Sequence, residues 1–136
     1  MMGEYVNLFV SATNLIGLFT FIQVYLLSDK SIVLLAMIAS TLMHLSEQKH
    51  NLPGIFPFNK YTWYFLQFDR FVSYALSIYV FYRWTFSRNL FSLTVGLFGI
   101  CCNIISERSY VHNWVWFTIW HSVWHFCAFF TMYLIL

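Results

Sequence analysis

Apolar residues fill five long runs along the chain, and the polar residues between them are few and grouped. The first run, Tyr5 to Leu27, is long enough to cross a hydrocarbon core of about 30 Å at 1.5 Å per helical residue. Ser28-Asp29-Lys30-Ser31 then reads as a polar turn, and Ile32 to Glu47 as a second, shorter span. Gln48 to Lys60 holds Pro53, Gly54 and Pro57 and reads as a loop. Tyr61 to Trp84 forms a third span, with Tyr61, Trp63 and Tyr64 at one end and Tyr82 and Trp84 at the other, the placement of interfacial aromatic belts. Leu90 to Ile105 is a short fourth span containing Gly96 and Gly99, Ser106 to Asn113 a last loop, and Trp114 to Leu136 the fifth span. The fold expected is all-α: one integral membrane domain over 1–136, a polytopic bundle of about five transmembrane helices.

Composition supports that class. Of 136 residues, 60% are hydrophobic and only 9% charged, where a soluble domain carries roughly 25% charged residues. The net charge of +2 is scattered without a basic run, so the bilayer is the partner expected and nucleic acid is not. The N-terminal run has no basic segment before it and exceeds the 7–15 apolar residues of a secretory signal, so it reads as a retained span. Lys49, Lys60 and Arg108 fall on the side shared with the N-terminus, and Lys30, Arg83 and Arg88 on the other, which leaves the orientation unset. Cys101, Cys102 and Cys127 lie in apolar runs and fit neither a zinc spacing nor a disulfide framework, so they read as buried free thiols. Two small-residue pairs four apart, Thr13 with Gly17 and Ala36 with Ser40, are read as close helix packing.

The chemistry sits in the last run. His121 and His125 are four apart on a helix, one turn above each other on the same face, and their surroundings are Trp, Phe, Val and Ile. An ionisable group in hydrocarbon reads as functional by default. His44 lies about one turn inside the end of the second span, Asp69 roughly 12 Å inside the third, and His121 roughly 10 Å inside the fifth. All three enter from the same side, and Ser40 sits one turn from His44 on the same face, so five distant polar groups fall in one half of the bilayer. Three neutral imidazoles with one open position make a catalytic zinc arrangement, and zinc lowers the pKa of bound water to about 7. Asp69 is placed to accept or relay a proton, and Ser40 to steady the water or an oxyanion.

Taken singly, each group has an ordinary reading. His44 is a helix-to-helix hydrogen-bond donor, Asp69 a partner of Arg70 or Ser73, and Ser40 a packing residue. His50 and His112 read as surface histidines of the loops. Glu47, three residues after His44, either orients it or marks the helix end. Trp116, Trp120 and Trp124 form a stripe offset about 100° from the histidines and are expected to face lipid or a neighbouring helix.

Ser40-Thr-Leu-Met-His44 on the second span, Asp69 on the third and His121-Ser-Val-Trp-His125 on the last resemble the signature of the CREST superfamily of membrane hydrolases. That group includes alkaline ceramidases, adiponectin and progestin receptors and lipid-remodelling proteins of the GPI anchor. Leu66-Gln-Phe-Asp-Arg70 and the His121–His125 stretch look most like the branch of the post-GPI-attachment phospholipase and the muscle-cell fusion protein. Glu47-Gln-Lys-His-Asn-Leu-Pro-Gly54 is similar to the broader group. The resemblance implies a zinc ion (Zn2+) held by His44, His121 and His125, with Asp69 and Ser40 as catalytic residues. It implies hydrolysis of an amide or ester bond in a sphingolipid or glycerophospholipid. It also implies a multi-pass protein of endomembranes (ER or Golgi) or plasma membrane.

The family usually has seven spans and this chain has room for five. The missing pair falls between the Asp69 span and the last span, which preserves parity and thins the cavity wall. A homo-oligomer would supply the missing wall. The alternative function is a non-catalytic receptor, remodelling or fusion-type protein with a structural zinc. A third reading is a b-type haem protein pairing His44 with His121 or His125.

Overall fold

The computed structural model describes residues 2–108 and 114–136, and every regular element among them is helical. Helix α1 (Met2–Thr13) passes through a 3-10 turn (Asn14–Ile16) into α2 (Gly17–Gln23). Thr13 and Gly17 keep right-handed helical angles on either side, so the two form one rod, tightened at its middle. Four more helices follow: α3 (Leu27–Ser46), α4 (Thr62–Ser87), α5 (Leu90–Arg108) and α6 (Trp114–Ile135).

Three of the expected ends are corrected. The first rod stops at Gln23, because Val24 and Leu26 take extended angles and turn the chain there. Ser28-Asp29-Lys30-Ser31 is not a turn but the first turns of α3, and the physical reason is Asp29. Its carboxylate is fully buried, accepting from the Tyr79 hydroxyl at 2.5 Å and from Arg83 Nη1 at 3.0 Å, both on α4. A carboxylate at a helix N-terminus also complements the helix dipole. At the other end α5 continues to Arg108, so Ser106 and Glu107 are helical rather than looped. The expected 48–60 loop carries two short 3-10 turns, Lys49–Asn51 and Phe58–Tyr61. The α4–α5 connection is tight: Arg88 caps α4 in the left-handed region, and Asn89 Oδ1 accepts the backbone N–H groups of Phe91 and Ser92 to start α5.

Helix α3 is the central element, packed on α1, α2 and α4, while α6 packs on α5 and on the first rod. Between them Val33, Met37, Ala39, Val72, Phe129 and Met132 form the main core, and Val6, Val10, Leu52 and Phe117 a second cluster nearer the 48–60 loop. Gly17 allows the close approach, since a Cβ there would lie 2.7 Å from both Met37 and Phe129. Polar side chains tie the helices together. Asn7 Nδ2 donates to the carbonyls of His44 and Glu47, closing the end of α3, and Thr20 Oγ1 donates to the Phe129 carbonyl.

The exterior is apolar, with Ile22, Phe71, Ile78 and Leu90 among the large side chains left exposed. Gly3–Gln23, Leu27–Ser46 and Leu90–Arg108 are long and apolar enough to cross a membrane. Helices α4 and α6 are longer than α5 but fall outside that set, because charged residues in α4 and Trp and His residues in α6 lower their mean hydropathy. Cys101 is exposed on the outer face of α5, not buried as expected, while Cys102 and Cys127 are buried free thiols.

Candidate metal centre

His44 stands in the last turn of α3, and His121 and His125 one turn apart on α6; all three are buried. One ring nitrogen from each lies within 4.8 Å of the others, close enough for the three to hold one metal ion. The rings meet edge to face, with centroids 4.6 Å apart for His44 and His121, 5.0 Å for His44 and His125, and 4.8 Å for His121 and His125.

The outward-facing nitrogens fix which face of each ring is available. Thr13 Oγ1 donates to the Val10 carbonyl at 2.6 Å, so it accepts from His125 Nδ1–H at 2.6 Å. Ser106 Oγ donates to the Asn103 carbonyl at 2.7 Å, so it accepts from His121 Nδ1–H at 3.1 Å. Glu47 Oε2 accepts from His44 Nδ1–H at 2.8 Å. Each Nδ1 therefore carries a proton, and each Nε2 presents its lone pair. His44 Nε2 and His125 Nε2 stand 3.2 Å apart, two acceptors facing one another. A cation among the three rings satisfies them together, and partners of this kind on the far nitrogen are what orient metal-bound histidines.

The other expected site residues share the place. Ser40 Oγ lies 3.3 Å from His125 Nε2. Ser40, Asp69 and the three histidines line one cavity of about 350 Å³, whose apolar wall includes Ala36, Leu66, Trp124, Ala128, Phe129 and Met132. Asp69 forms no ion pair with Arg70 among the described residues, and both line the cavity. At the rim Glu107 is paired with Lys49.

Two expectations change here. His50 is not a surface histidine: it is buried, stacked on Phe117 with ring centroids 4.3 Å apart, and burial lowers its pKa below the ordinary 6.5. Its backbone is in the left-handed region, with φ 59°. The Trp stripe divides: Trp116 is half exposed and stacks on Trp120, while Trp124 turns into the cavity and against Gly99. His112 lies outside the described residues. Thr13 and Ser106 hold two of the three histidines, where the sequence alone suggests helix packing for Thr13 and a loop for Ser106. The signal available for the first rod was its polar stripe, Asn7, Ser11 and Asn14, at helical spacing in an apolar run.

A haem between two of these histidines is disfavoured by the same geometry. The macrocycle needs the space between its axial rings, and His121 is in ring contact with both His44 and His125. Comparison of the chain with protein-family models, with curated proteins and with solved structures finds no match.

Proposed function

We propose that the chain is a five-span membrane bundle of the CREST type that holds zinc on His44, His121 and His125 and hydrolyses the amide or ester acyl linkage of a membrane lipid. The observation that carries this reading is the convergence of three imidazole lone pairs on a cavity shared with Asp69 and Ser40, one wall of which is apolar. Zinc bound there supplies a Lewis acid and a more acidic water. Hydrolysis adds a water across the linkage: its oxygen bonds to the acyl carbon, the C–N or C–O bond breaks, and the amine or alcohol leaves with a proton. Asp69 takes the proton from water and returns one to the leaving group. Ser40 donates to the carbonyl oxygen as negative charge develops on it. The apolar wall accepts the acyl chain, so the polar linkage is the only part of the lipid that must be brought to the histidines.

The test is metal analysis of protein purified in detergent, followed by turnover of a ceramide and of a phosphatidylcholine. About one zinc per chain is expected, lost in the His121→Ala, His125→Ala double variant. Asp69→Asn should abolish turnover while leaving zinc in place. Metal-free wild type overturns the reading. Zinc-loaded wild type without turnover, unaltered by Asp69→Asn or Ser40→Ala, leaves the non-catalytic alternative in which zinc is a structural staple.

A further inference from the structure

Asn14 lines this cavity and has no part in the proposed hydrolysis. It sits in the 3-10 turn at the middle of the first rod, immediately after Thr13, the partner of His125. It is 1% exposed and lines the same cavity as Ser40, Asp69 and the histidines. Among the described residues neither atom of its carboxamide, Nδ2 or Oδ1, has a hydrogen-bond partner. The contrast along its own rod is sharp. Asn7 and Ser11 donate to carbonyls of α3, Thr13 meets His125, and Thr20 donates to a carbonyl of α6. An intramembrane amide ordinarily finds a carbonyl one turn back on its own helix. The Val10 carbonyl, which would serve Asn14, is taken by Thr13.

A buried amide with both ends unsatisfied is destabilising, and native proteins keep few of them without a use. Apolar residues of similar volume, Leu above all, would fill the position without that penalty. We infer that Asn14 is a substrate-positioning residue: its carboxamide binds the polar linkage of the lipid in the cavity, with Nδ2 donating to the acyl carbonyl and Oδ1 accepting from an adjacent N–H or O–H. This rests on the lipid-hydrolase reading for the identity of the ligand, but not on turnover. The pairing uses a donor and an acceptor on one rigid group, and an N-acyl lipid with a neighbouring hydroxyl presents the matching pair. Asn14 shares this cavity with Ala36, Phe129 and Met132, which belong to the apolar main core.

The test compares wild type with Asn14→Leu and Asn14→Ala, using two probes that carry the same fluorophore. One is a short-chain ceramide, and the other a hydrocarbon of equal length without the linkage. Binding is read by energy transfer from the protein's tryptophans, and thermal melting is read in the same samples. Wild type should prefer the ceramide, and both variants should lose that preference by about tenfold, the loss of one or two hydrogen bonds. Asn14→Leu should melt about 2–4 °C higher, because it removes an unsatisfied polar group. A merely structural role weakens both probes alike and lowers melting. Equal affinity of wild type for the two probes, or an unchanged preference in both variants, overturns the inference. Turnover by zinc-loaded protein separates the two proposals. A variant that keeps wild-type kinetics on ceramide sinks the role of Asn14 and leaves the hydrolase. Lost preference in a protein that never turns over ceramide keeps Asn14 and sinks the hydrolase.

Discussion

The three ring nitrogens that face one another owe their lone pairs to acceptors on three different elements: Thr13 at the end of α1, Glu47 just beyond α3 and Ser106 near the end of α5. Removing such an acceptor frees the ring to rotate and to change tautomer. Thr13→Val and Ser106→Ala should each weaken zinc binding by about 10–100-fold, measured by competition with a chromophoric chelator. Thr13→Ser, which keeps the hydroxyl, should bind close to wild type. Equal affinity in all three would show that the hydroxyls do not orient the rings. At this scale the sequence was legible wherever chemistry was concentrated in one residue type. Histidines at i and i+4 in an apolar run advertise themselves, as does a lone Asp69. Thr13 and Ser106 do not, since a small hydroxyl residue in an apolar helix serves packing as readily as hydrogen bonding, and only the partner across the interface decides. Glu47 was legible only as a choice, since its spacing from His44 suits either orienting the ring or ending the helix, and the 2.8 Å contact shows the first.

Among the elements, the number and order of the rods followed from the apolar runs, but their ends did not. Charged residues were read as boundaries, which holds when a charge meets water and fails when it meets another charge. Asp29 is the instance: it is completely buried and bound to Tyr79 and Arg83. The contact adds more than a turn to the start of α3 and pins that helix to the far half of α4. Breaking this pair from one side leaves an uncompensated carboxylate. Arg83→Met should destabilise the fold by about 3–5 kcal/mol. The value should fall toward the lower end, since the Arg83 side chain is 25% exposed and partly screened by solvent. Adding Asp29→Asn should recover much of the loss, because the stranded charge is then gone. Denaturation of the single and double variants in detergent measures both; a double variant no more stable than the single one would mean that the loss comes from the aliphatic packing of Arg83. The pair also bears on the metal centre, since α4 carries Asp69 and α3 carries His44 and Ser40. Fixing the two helices at the end remote from the histidines sets their register at the cavity.

For the molecule as a whole, the apolar exterior and the odd number of rods make a prediction that neither residue nor element can. If α1 with α2, α3, α4, α5 and α6 each cross the bilayer once, the 48–60 loop lies on one side. The turns at Val24–Leu26 and Ser87–Asn89 then lie on the other. This holds even for α4 and α6, whose aromatic and polar residues lower their hydropathy. Asp69, His121 and His125 line the cavity and Arg83 binds Asp29, so hydropathy averaged around the helix understates how apolar much of the outward face is. In a variant with Cys101, Cys102 and Cys127 replaced by Ala, single cysteines placed at Tyr25, Phe56 and Arg88 report the sides directly, and all three positions are exposed. An impermeant maleimide added to sealed vesicles should label positions 25 and 88 together and position 56 only from the opposite face. Labelling of 25 and 56 from the same face would mean that α3 does not cross. Labelling of 56 and 88 from the same face would mean the same of α4, which would move Asp69 out of the bilayer and with it the reason to expect a lipid at the histidines.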